Sequence, residues 1–305
     1  MKTTRQLQEE ILRLKKENDI CVLVHAYQNH EILEIADYIG DSFGLSEKAK
    51  IATQKNILMC GVRFMAETVK MLSPDKKVIL AHPDADCPMA RQYDGQMIRK
   101  LKEENPGYAV VAYINSTADL KAECDACVTS ASAVEVVRNM KNKDIIFVPD
   151  CNLGSYVASQ VPDKNIMLVN GGCPCHSKVT VEEVIKARAS HPNAKLLVHP
   201  ECKKEVSESA DYIGSTTGIM DYVRKNSYNE YIIGTENSIV EHLQYEFPDK
   251  KFYPLSKELV CTDMRLTTLV DVYNCVKGCG GEEILLDETT SVYAKKAIDV
   301  MLKLG

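Results

Sequence analysis

Val22-Leu-Val-His25 followed by Ala36-Asp-Tyr-Ile-Gly40 returns later in the chain as Leu197-Val198-His199 followed by Ala210-Asp-Tyr-Ile-Gly214. Both halves of the match are displaced by the same 174 residues. A more diverged copy lies between them. Val110-Val111-Ala112-Tyr113 precedes Cys124-Asp-Ala-Cys-Val128, 88 residues after the first copy and 86 before the last. A second marker, Ser73-Pro-Asp-Lys-Lys77, Val161-Pro-Asp-Lys-Asn165 and Phe247-Pro-Asp-Lys-Lys251, keeps the same offsets of 88 and 86. Two markers with one spacing identify a unit repeated three times.

Working outward from these markers, each unit alternates short apolar runs with helical stretches. In the first, Cys21–Val24, Ile57–Cys60 and Val78–Ala81 suit buried parallel strands, and Asp37–Gly40 is a fourth candidate. Helical stretches lie between and after them at Glu31–Ala36, Leu45–Thr53, Phe64–Leu72 and Gly95–Glu104. The alternation predicts right-handed crossovers and an α/β fold. We expect three homologous αβα three-layer domains with parallel sheets, in pseudo-threefold symmetry around a central active site. Their boundaries fall at 19–105, 106–192 and 193–285. An N-terminal helix over 1–18 presents Leu7, Ile11 and Leu14 on one face, and a C-terminal helix occupies 286–305.

The 305 residues carry a net charge of −6 with scattered Lys and Arg, which argues against a nucleic-acid footprint. The charged start Met1–Glu10 is unlike a signal peptide, and no apolar run reaches the length of a membrane span. The expectation is a soluble, cytoplasmic protein without a membrane partner. In that reducing setting the twelve cysteines are thiols or metal ligands rather than a disulfide frame.

In open α/β sheets ligands bind beyond the carboxyl ends of the strands. At these ends the repeat places His25 and Tyr27, then Tyr113 and Asn115, then His199 and Glu201. Ser42, Ser130 and Thr216 follow at equivalent positions, each ahead of a helix whose free N–H groups favour phosphate or carboxylate. Ordinary loop residues and helix caps are the plain alternative for any one of them. Constant position with changing chemistry favours a shared site for the set.

One cysteine also comes late in each copy: Cys87, Cys173 and Cys261. Cys87 and Cys261 are 174 apart; on the strict middle offset stands Cys175, whereas the Cys-Pro pair shared with Cys87 favours Cys173. Three converging thiolates are one short of structural zinc but suit a [4Fe-4S] cluster with one open iron, a Lewis acid. Three core thiols are the bland alternative. Cys124-x-x-Cys127 falls on small apolar repeat positions and reads as core, and Cys21, Cys60, Cys151 and Cys202 read as packing. Cys275 and Cys279 are expected in a surface loop with Gly278, Gly280 and Gly281. Glycine-rich nucleotide fingerprints, a P-loop and a nucleophile elbow are all missing.

These stretches resemble the quinolinate synthase family over essentially the whole chain. The match runs through His25-Ala-Tyr-Gln28, Ala36-Asp-Tyr-Ile-Gly-Asp-Ser42, Val62-Arg-Phe-Met-Ala-Glu67, Cys87-Pro-Met-Ala90 and Tyr113-Ile-Asn-Ser-Thr117. It continues through Thr129-Ser-Ala-Ser132, Gly172-Cys-Pro-Cys-His176, His199-Pro-Glu-Cys202, Gly214-Ser-Thr216 and Cys261-Thr-Asp-Met264. Ala26 and Ser132 depart from the family's usual Asn. The resemblance implies a transferase of NAD biosynthesis that condenses iminoaspartate with dihydroxyacetone phosphate to quinolinate, releasing phosphate and water. It implies a [4Fe-4S] cluster on Cys87, Cys173 and Cys261, and coupling to an L-aspartate oxidase or dehydrogenase. His25, Ser42, Ser130, His199, Ser215 and Thr216 would bind carboxylate and phosphate. Tyr27, Tyr113, Asn115 and Glu201 would manage proton transfers and the triose, with Tyr27, Tyr113, His199 and Glu201 catalytic. A hydro-lyase, an iron–sulfur carrier or regulator, and a zinc-structured scaffold are the rival classes.

Overall fold

The computed structural model describes residues 2–305. The first unit supplies strands β1 (Ile20–His25), β2 (Tyr38–Gly40), β3 (Asn56–Cys60) and β4 (Lys77–Leu80). The second supplies β5 (Ala109–Tyr113), β6 (Ala126–Val128), β7 (Asp144–Val148) and β8 (Asn165–Leu168). The third supplies β9 (Lys195–Val198), β10 (Tyr212–Ile213), β11 (Glu230–Gly234) and β12 (Lys251–Pro254). Each unit forms its own sheet of parallel strands in one topology: β2-β1-β3-β4, β6-β5-β7-β8 and β10-β9-β11-β12. The fold is thus α/β with three separate parallel sheets, as the repeat predicts.

Both repeat markers are hydrogen-bonding devices. The aspartate of the first marker clamps the central strand of its sheet: Asp37 accepts the N–H of Val22 at 2.8 Å, Asp125 that of Val110 at 2.7 Å and Asp211 that of Leu196 at 2.8 Å. The lysine of the second reaches the C-terminal end of an earlier helix. Lys164 donates to the carbonyls of Met140 and Asn142 at 2.6 and 3.0 Å, and Lys250 to those of Val223 and Asn226 at 2.9 and 2.8 Å. Lys76 does the same with Ala52 and Gln54. A cation on the last carbonyls of a helix also meets the negative end of its dipole.

β1, β5 and β9 are buried almost throughout because helices cover both faces of their sheets. The N-terminal helix Thr4–Glu17 seats Ile11 against Val272 and Val276 of the helix Leu269–Val276 on the first sheet. The C-terminal helix Glu288–Leu304 docks Ala294, Ala297, Ile298 and Met301 on the core of the second unit. A final strand, β13 (Glu282–Glu283), returns to pair antiparallel with β4.

Cys275 departs from the surface-loop expectation. It lies in the helix Leu269–Val276 and is buried in the first unit's core, whereas Cys279 is exposed. The glycines nearby begin only after the helix ends, so they mark the loop and not this cysteine. Among the described residues no helix is long and apolar enough to cross a membrane.

Candidate functional site

The carboxyl ends of β1, β5 and β9 open into one cavity, about 820 Å³ with the space open to solvent included. It is lined by every candidate residue: His25, Tyr27, Ser42 and Cys87 from the first unit, Tyr113, Asn115, Ser130 and Cys173 from the second, and His199, Glu201, Ser215, Thr216 and Cys261 from the third. Phe43, Phe64, Met89 and Met264 supply apolar wall. Few polar groups on an apolar lining is the usual make-up of a small-molecule site.

The strand ends fix side-chain chemistry as well as position. His25 Nδ1 accepts the N–H of Tyr27 at 3.1 Å, and His199 Nδ1 accepts that of Glu201 at 3.3 Å. An acceptor at Nδ1 leaves the ring proton on Nε2, so both imidazoles offer one further donor. Burial pushes each imidazole down to about 4, which keeps both neutral near pH 7.

Helix starts frame the same cavity. Ser42 opens the helix Ser42–Ile51 behind its cap Asp41, and Thr216 opens Thr216–Lys225 behind its cap Ser215. In the second unit Thr129 and Ser132 close a turn around Ser130, with Ser132 Oγ accepting the Thr129 N–H at 3.1 Å. Ser132 therefore makes, through its hydroxyl, a turn-closing contact of the kind an amide could make. At the mouth Thr217 donates to Asp41 at 2.8 Å and ties the first unit to the third.

Each cysteine precedes a single 3-10 turn: Met89–Arg91, His176–Lys178 and Met264–Leu266. In all three a backbone N–H three residues on, from Ala90, His176 and Met264, is directed at the sulfur. Cys173, rather than Cys175, repeats the arrangement of Cys87 and Cys261. Cys175 borders the cavity but packs into the third unit's apolar cluster beside Leu196 and Val198. Burial pushes Cys87 up to about 12, Cys261 up to about 11 and Cys173 well above its ordinary value. The metal-free thiols are therefore protonated, and a metal must displace those protons to bind. Three sulfurs, one from each unit, each with a backbone donor aimed at it, fit an iron–sulfur cluster anchored at three corners. Cys124 and Cys127 lie outside the cavity, in and against the core of the second unit.

A continuous hydrogen-bonded chain crosses all three units. Tyr113 Oη donates to Glu201 Oε1 at 2.7 Å, and Glu201 Oε2 lies 2.8 Å from His176 Nδ1. His176 Nε2 meets Thr235 Oγ1 at 3.0 Å, Thr235 meets Tyr27 Oη at 2.9 Å, and Tyr27 meets Thr216 at 2.6 Å. Burial opposes ionisation of Glu201. Hydrogen bonds from His176 and Tyr113 favour the carboxylate and hold this carboxyl well below the usual range. Both tyrosines are pushed well up by burial and by the Glu201 charge, so they remain proton donors. Cys173, His176 and Glu201 also bring three ligand atoms within 4.8 Å of one another, enough to hold a single metal ion.

Sequence reasoning missed His176, Thr235 and two buried acids, Asp150 and Glu236. His176 follows a singled-out cysteine but has no histidine partner in the other copies. Thr235 carries no motif signal, and only tertiary contact reveals it. Asp150 and Glu236 stand 86 residues apart, so the repeat offset held that signal. Burial and the neighbouring Glu201 charge push Asp150 up to about 7.

Comparison with known proteins gives one consistent result. The family model described as quinolinate synthetase A protein matches residues 9–303. The chain is 43% identical to the quinolinate synthase of Clostridioides difficile over 300 residues, covering 98% of this chain and 97% of that one. It is 46% identical to that of Caldicellulosiruptor saccharolyticus over 300 residues, 98% and 99% of the two chains. With that of Thermodesulfovibrio yellowstonii the identity is 43% over 296 residues, 97% of each.

Proposed function

The chain belongs to the quinolinate synthetase A protein family, enzymes of NAD biosynthesis, and from that premise we propose the reaction, the cofactor and the residue roles that its cavity supports. Iminoaspartate and dihydroxyacetone phosphate condense to quinolinate with loss of phosphate and water. The reaction takes place in the cytoplasm, where an L-aspartate oxidase or dehydrogenase supplies the imine. Cys87, Cys173 and Cys261 hold a [4Fe-4S] cluster. When bound, its open iron supplies Lewis-acid chemistry toward a substrate oxygen or nitrogen.

The remaining work falls to side chains with stated partners. The phosphate and carboxylates of the substrates are anions, and the cavity meets them with uncharged donors. These are the hydroxyls of Ser42, Ser130, Ser215 and Thr216, the free N–H groups of two helix starts, and the Nε2–H of His25 and His199. Neutral donors release an inorganic phosphate product more readily than paired cations would.

Carbon–carbon bond formation needs a proton removed next to the imine, and closure to the aromatic ring needs further proton transfers. Glu201 is the general base. Tyr113 and Tyr27, kept protonated by burial, are the acids at the two ends of the hydrogen-bonded chain. Asn115 binds the triose. Apolar wall from Phe43, Phe64, Met89 and Met264 limits water around a hydrolysable imine.

The observation that supports this reading most directly is the convergence of one cysteine from each unit with His25, His199 and Glu201 on a single cavity. Anaerobic purification with iron and sulfide counts, followed by a quinolinate assay on iminoaspartate and dihydroxyacetone phosphate, tests it. A loaded protein that makes no quinolinate would overturn the reaction. The Cys173, His176 and Glu201 grouping favours a second reading, a site for one metal ion. Metal without sulfide in the anaerobic protein would select that reading.

A further inference from the structure

The backbone N–H of each of the three candidate cluster cysteines ends on a carboxylate. Cys87 donates to Asp86 Oδ1 at 2.8 Å, Cys173 to Asp150 Oδ2 at 3.1 Å and Cys261 to Glu236 Oε1 at 3.4 Å. Asp86 adjoins its cysteine and is tied off near the surface by Arg91 at 2.6 Å. Asp150 and Glu236 differ from it: they occupy one repeat position just past β7 and β11, and both are 0% exposed.

Each of these two acids divides its oxygens between two tasks. Asp150 Oδ1 accepts the N–H groups of Asn152 and Leu153 at 2.9 and 2.8 Å, opening the helix Cys151–Gln160, while Oδ2 holds Cys173. Glu236 Oε2 accepts the N–H of Ser238 at 2.8 Å at the start of the helix Ser238–Glu246. Its Oε1 holds Cys261 and the Arg265 guanidinium, whose Nη2 is 3.0 Å away. Val62 takes the equivalent place in the first unit, and its side chain cannot accept a hydrogen bond. A helix cap returns less than burying a carboxylate costs. Beyond capping, each acid joins a cysteine to the strand and helix of its unit, and Glu236 is also paired with Arg265.

Resting on the cluster assignment proposed above, we infer that Asp150 and Glu236 are positioning residues that preset Cys173 and Cys261 before metal arrives. Cys87, held only by the partly exposed Asp86, is the adaptable anchor.

Iron and sulfide per chain after anaerobic reconstitution, the electron paramagnetic resonance spectrum of the reduced cluster and the circular dichroism of the metal-free protein test this. Asp150→Ala is expected to keep the wild-type dichroism yet lose roughly ten- to a hundredfold in cluster affinity, the scale typical of residues that orient metal ligands. Its residual cluster should show a shifted spectrum. Asp150→Asn keeps one carbonyl acceptor and should recover part of the loss. Asp287→Ala removes a comparable cap from the distant helix Glu288–Leu304 and should load iron as wild type does. Wild-type iron content and spectrum in both Asp150 variants would overturn the inference. If Asp150→Ala does not fold, Asp150→Asn and Glu236→Gln decide it on the same readouts. A wild-type protein that binds no iron would instead defeat the cluster assignment itself.

Discussion

Tyr113 of the second unit donates to Glu201 of the third at 2.7 Å, and both side chains are buried. The contact joins repeat-related strand ends that carry different side chains, a phenol on one and a carboxylate on the other. Glu201→Gln keeps the shape of the site but cannot take up a proton. It is expected to retain iron and to lose about 10²- to 10⁴-fold in kcat. Turnover within a few-fold of wild type would place the base elsewhere.

Cys87→Ser, Cys173→Ser and Cys261→Ser should each abolish the brown absorbance of the reconstituted protein, because each removes one of the three anchors proposed for the cluster. Cys124→Ala should leave colour and activity intact, since that thiol packs against the second unit's core and donates to the Leu120 carbonyl. Full iron in one of the three serine variants would remove that cysteine from the ligand set.

Among the described residues, Thr235 links His176 to Tyr27 in the chain of hydrogen bonds. Thr235→Val keeps the volume and deletes the hydroxyl. A drop of about 10²-fold in kcat with an unchanged iron count is expected, the low end of the range for a proton-transfer group. A change confined to KM would instead assign Thr235 to holding Tyr27 in place.

Much of this site was legible because the repeat is itself chemistry. Asp37, Asp125 and Asp211 recur because each clamps the central strand of its sheet, and a strand held in register delivers the residue at its end to the cavity. His25, Tyr113 and His199 could therefore be aligned without coordinates. Thr235 could not be found that way, because its role depends on where three units meet. Asp150 and Glu236 were half visible: the offset relates them, but Val62 breaks the series in the first copy. Cys275 was misplaced because neighbouring glycines signal a loop without saying where the preceding helix stops.

His25 and His199 are buried neutral, each pushed down to about 4, while the unfolded chain binds their protons near the ordinary value of about 6.5. Between these values the unfolded state carries more protons than the native one, so acid favours unfolding there. Each imidazole should cost the metal-free protein roughly 3 kcal/mol as pH falls from about 6.5 toward 4, and Asp150, raised to about 7, offsets part of this because the native state takes up its proton first. The buried thiols act in a separate alkaline range, because their pKa values are raised. Urea denaturation at stepped pH measures the slope. His25→Gln keeps a side-chain acceptor for the Tyr27 N–H but cannot titrate, so its curve should be flatter than wild type by about 1.4 kcal/mol per pH unit. Parallel curves for wild type and variant would mean that His25 titrates alike in both states, and that its ring is not held neutral by the cavity.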